Sequence, residues 1–101
     1  MATTSKALFR GAATTTTTTT LYTVPASTTT VVTDIIVVNT AASAGTFTLA
    51  LDDVSLATTV CVGANDSTVI PVKQVLAAAK TIKGGASATT INFHISGVEI
   101  V

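Results

Sequence analysis

The feature that most constrains this chain is a strand-like segment, Thr29–Val38, that is apolar on both of its faces. Successive side chains of a β-strand point to opposite sides, so a strand buried on one side alternates apolar and polar residues. The last part of this segment, Ile35–Val38, contains no polar residue at all. In an antiparallel domain of this size the second face needs a cover, and another subunit is the simplest one. The segment therefore predicts a protein that is part of an assembly.

Strict alternation divides this strand into two sets of side chains. We expect the set with Val32, Asp34, Ile36 and Val38 to fill the core, together with Phe47, Leu49, Phe93 and Ile95. The opposite set is expected at subunit contacts, together with the edge formed by the seven-threonine run Thr14–Thr20. The predicted interface residues are Thr16, Thr18, Thr20, Val31, Thr33, Ile35 and Val37.

Length and composition limit the class of protein. The chain has 101 residues, which is enough for one domain, residues 1–101, but not for two. Only 10% of the residues are charged, whereas ordinary soluble domains carry about 25%, so the surface is unusually neutral. The formal net charge is zero, which argues against nucleic acid or an anionic membrane as a partner.

Targeting signals and disulfides are not expected. No segment reaches the roughly 18 consecutive apolar residues of a membrane helix, and the first residues, MATTSKALFRG, lack the apolar core of a signal peptide. We therefore expect synthesis in a cytoplasm without secretion, with no membrane partner. Cys61 is the only cysteine, so no internal disulfide can form, and the flanking Val60 and Val62 predict a small buried side chain there.

Short segments of strand character follow one another along the chain, separated by turn signals about every 8–12 residues. This pattern is typical of an all-β fold, an antiparallel β-sandwich or jelly roll of seven or eight short strands. We expect residues 1–20 to supply an edge strand or an assembly arm. The expected strands are Lys6–Arg10, Thr14–Thr23, Thr29–Val38, Thr46–Leu51, Leu56–Val62, Ser67–Val72 and a last strand from about Thr89.

Three short regions determine how these strands connect. Gly84-Gly85 predicts a turn, because glycine adopts tight-turn conformations readily. Lys73–Lys83 is compatible with a short helix or with a turn before a strand at Thr81–Ile82. In the last strand the apolar residues change phase after Gly97, which predicts a β-bulge at Ser96-Gly97.

Residues that usually carry catalysis or bind metals are scarce. His94 is the only histidine, and its place opposite the apolar positions of the last strand predicts an exposed or interfacial side chain. Asp52-Asp53 should point to opposite sides, and with Asn65-Asp66 we interpret them as solvated turn residues rather than calcium ligands. We expect the lysines at 73, 80 and 83 to lie on an exposed sheet edge, where they discourage pairing with another sheet. We predict no enzyme activity, no metal and no cofactor.

Three stretches of the sequence carry a family resemblance: LFRG at 8–11, LYTVPA at 21–26 with the strand that ends at Asn39-Thr40, and INFHISGVEI at 91–100. In this order they resemble small virion structural proteins of tailed bacteriophages, which often read LYTVPAGTTT and VNFHVSGVEV at these places. The resemblance spans most of the chain. Two positions depart from it: Ser27 replaces a turn glycine, which disfavours positive φ there, and Ala78-Ala79-Lys80 replaces an Ala-Gly-Asp type of turn.

The resemblance implies a capsid decoration (cement) protein, a non-enzymatic β-sandwich bound to the outer surface of a phage head. The implied partners are further copies of itself, with a trimer favoured, and the major capsid protein or other virion proteins. The implied location is the virion, after synthesis in the cytoplasm of a bacterial host. Two alternatives stay open, a minor tail or head–fibre hub component and a carbohydrate-binding β-sandwich module. The carbohydrate-binding alternative would depend on Tyr22, because it is the only Tyr or Trp in the sequence that could stack on a sugar.

Overall fold

The computed structural model describes residues 2–101, which form eight β-strands and no helix. Every pairing between strands is antiparallel. The helix considered for the region around residue 75 is not formed, since a strand continues to Leu76 and a turn at Ala78-Ala79 leads to the next. The strands are β1 (Thr3–Ala12), β2 (Thr20–Thr23), β3 (Thr29–Asn39), β4 (Gly45–Leu51), β5 (Val54–Val62), β6 (Ser67–Leu76), β7 (Thr81–Ala86) and β8 (Ile91–Ile100).

The strands form two four-stranded sheets. The first sheet has the order β1-β8-β3-β6 and the second sheet the order β2-β7-β4-β5. Consecutive strands therefore mostly belong to different sheets, and the two orders are those of an eight-stranded jelly roll with Greek-key connections. The predicted antiparallel β-sandwich of jelly-roll type is confirmed. Of the first 20 residues, Thr3–Ala12 form an edge strand paired with β8.

The core lies between the two sheets and is centred on a pair of aromatic rings. Phe47 of β4 and Phe93 of β8 meet edge to face, with ring centroids 6.2 Å apart and planes at 75°. Leu49 and Ile95, which follow them on the same faces, are also buried. These four core residues were predicted from alternation, and all four are confirmed.

A β-bulge interrupts β3 at Thr33. Val32 lies opposite Gly97 of β8, whereas Asp34 lies opposite Ser96, so Thr33 is an additional residue in β3. The hydroxyl of Thr33 donates a hydrogen bond to the carbonyl oxygen of Ser96 at 3.1 Å. The β-bulge predicted within β8 is therefore wrong. β8 is continuous, and both of its neighbours carry the irregularity, β1 by an additional residue next to Ala7.

The bulge reverses the predicted faces in the second half of β3. One additional residue moves every later side chain to the opposite side of the sheet. Ile35 and Val37 consequently point into the core and are fully buried within the single chain. The prediction that these two residues lie at a subunit contact is wrong. Ile36, which was expected in the core, lies on the outer side of the first sheet instead.

Gly84 and Gly85 lie inside β7 and are buried, so the turn predicted for them is wrong. A Cβ atom on Gly84 would lie 2.5 Å from the carbonyl oxygen of Thr48, and one on Gly85 would lie 2.3 Å from that of Thr16. Real Cβ atoms do not come this close to a backbone oxygen. Both glycines are therefore required by the close approach of neighbouring backbone, not by turn geometry.

The threonine loop, Thr14–Thr19, precedes β2 and replaces the longer strand that was predicted there. Its hydroxyl groups bond within the loop: Thr14 and Thr19 each donate to the carbonyl oxygen of Thr16 at 3.0 Å. Such side-chain bonds to nearby backbone compete with ladder pairing. The loop is also held on β7, because the amides of Gly84 and Ala86 donate to carbonyl oxygens of Thr19 and Thr14.

Candidate functional site

The outer face of the first sheet carries two groups of apolar side chains, one around Ile36 and one around Val31, with Asp34 and Ser96 between them. Ile36 of β3 lies opposite Val69 of β6, and Val31 lies opposite Val75. Opposed residues of paired strands point to the same side of a sheet, so these side chains share the face that is turned away from the core. On the other side of β3, β8 places Val98 beside Val31, whereas the polar His94 and Asn92 lie beside Ile36 and Val38. We define the outer apolar face as Val31, Ile36, Val38, Val69, Val75, Val98 and Ile100.

Several of these side chains are strongly exposed. The exposed fraction is 37% for Ile36, 58% for Val69 and 66% for Val75. Isolated exposed hydrophobic residues are common on protein surfaces and need no explanation. A group of them on one rigid sheet face is different and is characteristic of an interaction surface. No described part of the chain covers this face, so β3 is apolar on two sides as its sequence indicated.

Two side chains of opposite charge lie on the same face. Arg10 of β1 is opposite His94 of β8, and Asp34 of β3 is opposite Ser96 of β8. Arg10 and Asp34 are both exposed, and β8 runs between the strands that carry them. His94 is half-buried between them. The face thus includes Arg10 and Asp34 on either side of β8, and Lys73, which alternates with the buried Val72 on the edge strand β6, adds a second positive charge.

The outer face of the second sheet has a different character. Thr46, Thr48 and Ala50 alternate with the core residues of β4 and therefore face outward. Lys83 of β7 lies opposite Ala50 and adds a positive charge. This face presents hydroxyl groups and a lysine, while the edge strand β5 of the same sheet exposes Val54, Leu56 and Val60. Exposed apolar residues are therefore found on both sheets, on a face of the first and along an edge of the second.

The predicted interface residues that stay at the surface lie in two separate places. Thr16, Thr18 and Thr20 are exposed in or next to the threonine loop, at the edge of the second sheet. Val31 lies on the outer apolar face of the first sheet, and Thr33 lies beside it at the bulge, both half-buried. Contact of these five residues with another subunit stays a prediction. The sequence reasoning missed Val69 and Val75, although alternation along β6 indicates a shared face for both.

A polar clamp, formed by Tyr22, Thr30, Glu99 and Lys6, joins the two sheets next to β1. The hydroxyl of Tyr22 donates to a carboxylate oxygen of Glu99 at 2.5 Å and lies 2.8 Å from the hydroxyl oxygen of Thr30. The hydrogen bond from Tyr22 lowers the pKa of Glu99, and the ammonium group of Lys6, 3.4 Å away, lowers it further. Partial burial of the carboxylate raises the pKa but does not outweigh these two contacts. Burial, together with the carboxylate, raises the pKa of Tyr22. Because Tyr22 is buried in this clamp, its ring is not free to stack on a sugar.

The acidic residues of the β4–β5 turn are paired with lysines. Asp52 and Asp53 both have positive φ and form a two-residue hairpin turn. The carboxylate of Asp52 lies 3.5 Å from Nζ of Lys80, and that of Asp53 lies 2.9 Å from Nζ of Lys83. Lys80 and Lys83 thus neutralise a turn rather than guarding a sheet edge. Of the three predicted edge lysines, only Lys73 lies on an edge strand, β6.

Cys61 is exposed, which corrects the expectation of a buried thiol. It lies on the edge strand β5 opposite Thr46, whose side chain faces outward, while its neighbour Val62 points into the core and is buried. Alternation along the strand therefore gives the thiol an outward position. An apolar flanking sequence alone did not distinguish the two orientations.

Among residues 2–101, no three His, Cys, Asp or Glu side chains are close enough to hold a metal ion, and no pocket is found. The same part of the chain contains no helix of the length and apolarity that spanning a membrane requires. Comparison of the sequence with protein-family models and with curated proteins gave no match. The functional proposal therefore depends on the surfaces described above.

Proposed function

We propose that this chain is a non-enzymatic virion structural protein, a capsid decoration (cement) protein that binds the outer surface of a phage head as a symmetric homo-oligomer. The observation that carries the proposal is the outer apolar face, a rigid sheet surface of β-branched side chains that the chain leaves uncovered. The jelly-roll strand order supports it by fold-level analogy, since viral capsid domains, lectin domains and cupins share this architecture. The resemblance of residues 8–11, 21–26 and 91–100 to phage virion proteins adds a second, independent support.

A protein of this kind acts by burying apolar surface against its neighbours. Val69 and Val75 are 58% and 66% exposed, so complete burial of either contributes roughly 1–2 kcal/mol, about two thirds of the value for a fully exposed side chain. Association costs at least about 4 kcal/mol in lost translational and rotational freedom, so a single contact of this size is weak. Repetition of the contact at symmetry-related positions of a shell multiplies the binding strength by avidity. With a net charge of zero, we expect this binding to depend little on salt.

The proposed partners are further copies of the chain, for which the resemblance implies a trimer, and the major capsid protein. The proposed location is the outer surface of the capsid. A minor tail or head–fibre component would bind through the same kind of surface and differs in copy number and position. We do not propose a carbohydrate-binding module, since the ring of Tyr22 is buried against Thr30 and Glu99.

The test is immunogold labelling of purified particles of the phage that encodes the chain, with an antibody against the purified protein. We expect label distributed over the whole head and none along the tail. The control is the same antibody after absorption with the purified protein. Label confined to one vertex or to the tail would replace decoration with the tail or hub role. Particles that contain none of the protein by mass spectrometry would overturn the virion proposal altogether.

A further inference from the structure

We draw no further inference here: the strongest candidate, the uncharged edge strand β5 of the second sheet with its exposed Val54, Leu56 and Val60, carries nothing, because register shifts interrupt its pairing with β4 and nothing in the described residues 2–101 shows what would pair with its open side.

Discussion

Ile35 and Ile36 are adjacent in β3 and face opposite sides of the first sheet, which makes them a matched pair. Ile35 is 0% exposed in the core, whereas Ile36 is 37% exposed on the outer apolar face. Replacement of a fully buried isoleucine by alanine costs the transfer free energy of the lost carbons and leaves a cavity, about 2–5 kcal/mol in total. We expect Ile35→Ala to lower the free energy of unfolding by about 3–4 kcal/mol. Ile36→Ala leaves no closed cavity and should cost about 1 kcal/mol.

The measurement is urea denaturation followed by far-UV circular dichroism, with thermal melting as a second readout. Both variants are measured at the same low protein concentration, so that self-association through the outer face contributes little to the measured stability. A difference of about 2–3 kcal/mol corresponds to melting temperatures roughly 10–20 °C apart in a domain of this size. If Ile36→Ala destabilises as much as Ile35→Ala or more, β3 has no bulge at Thr33 and the assigned faces are reversed.

Three further predictions concern the clamp and two backbone positions. The folded-state pKa of Glu99 is below its ordinary value of 4.5, so the stabilisation from its carboxylate is present above about pH 4.5 and is lost as pH falls through the lowered pKa. In urea titrations, Glu99→Gln should therefore lose less stability in acid than the unmodified protein. Equal losses would contradict the clamp. Ser27 has a φ of 57°, so Ser27→Gly should stabilise the fold by about 0.5 kcal/mol in thermal melts. The control Ala26→Gly in the same turn should not stabilise it. A loss of stability in Ser27→Gly would refute the assigned turn. Gly85→Ala should lower the free energy of unfolding by about 2–3 kcal/mol. The control Gly63→Ala should have little effect, because the nearest neighbour of its Cβ would lie at 3.6 Å. Similar calorimetric stabilities for both variants would contradict the close approach of the threonine loop.

Alternation predicted the fold class and the regular strands, because there the local pattern and the tertiary packing agree. Phe47 and Leu49 on β4, and Phe93 and Ile95 on β8, alternate with polar or small residues, and all four are buried. A half-buried strand in a two-layer fold has this pattern because one of its faces is the core. β3 is apolar on both sides, and its outer side is left uncovered by the described chain. That another subunit covers this side stays a prediction.

The phase of β3 could not be obtained from alternation, since a single bulge reverses it. The sequence nevertheless contains a signal. Strict alternation would place Asp34 in the core between Val32 and Ile36, and an unpaired carboxylate there is costly. The additional residue at Thr33 moves Asp34 to the surface and brings Ile35 inward. A charged residue within an otherwise apolar strand is thus a reason to consider a bulge before assigning faces.

The glycine pair and the threonine run were misassigned for one common reason. Locally, Gly84-Gly85 favours a turn and a run of threonines favours a strand. In the fold, the backbone at Thr16 lies against Gly85, and hydrogen bonds from β7 hold the loop in place. Both conformations are set by contact between segments about 70 residues apart, which no local pattern contains. Ser27 is a separate, local case, since it has a positive φ in a short turn despite the preference of serine.

The most direct test of the proposed role is the copy number of this chain in purified phage particles. Quantitative mass spectrometry measures it relative to the major capsid protein, before and after heads are separated from tails. A decoration protein that works by repeated burial of apolar surface should be present in a number of the same order as the major capsid protein, and should stay with the heads. A few copies per particle that separate with the tails, or none at all, would contradict the decoration role.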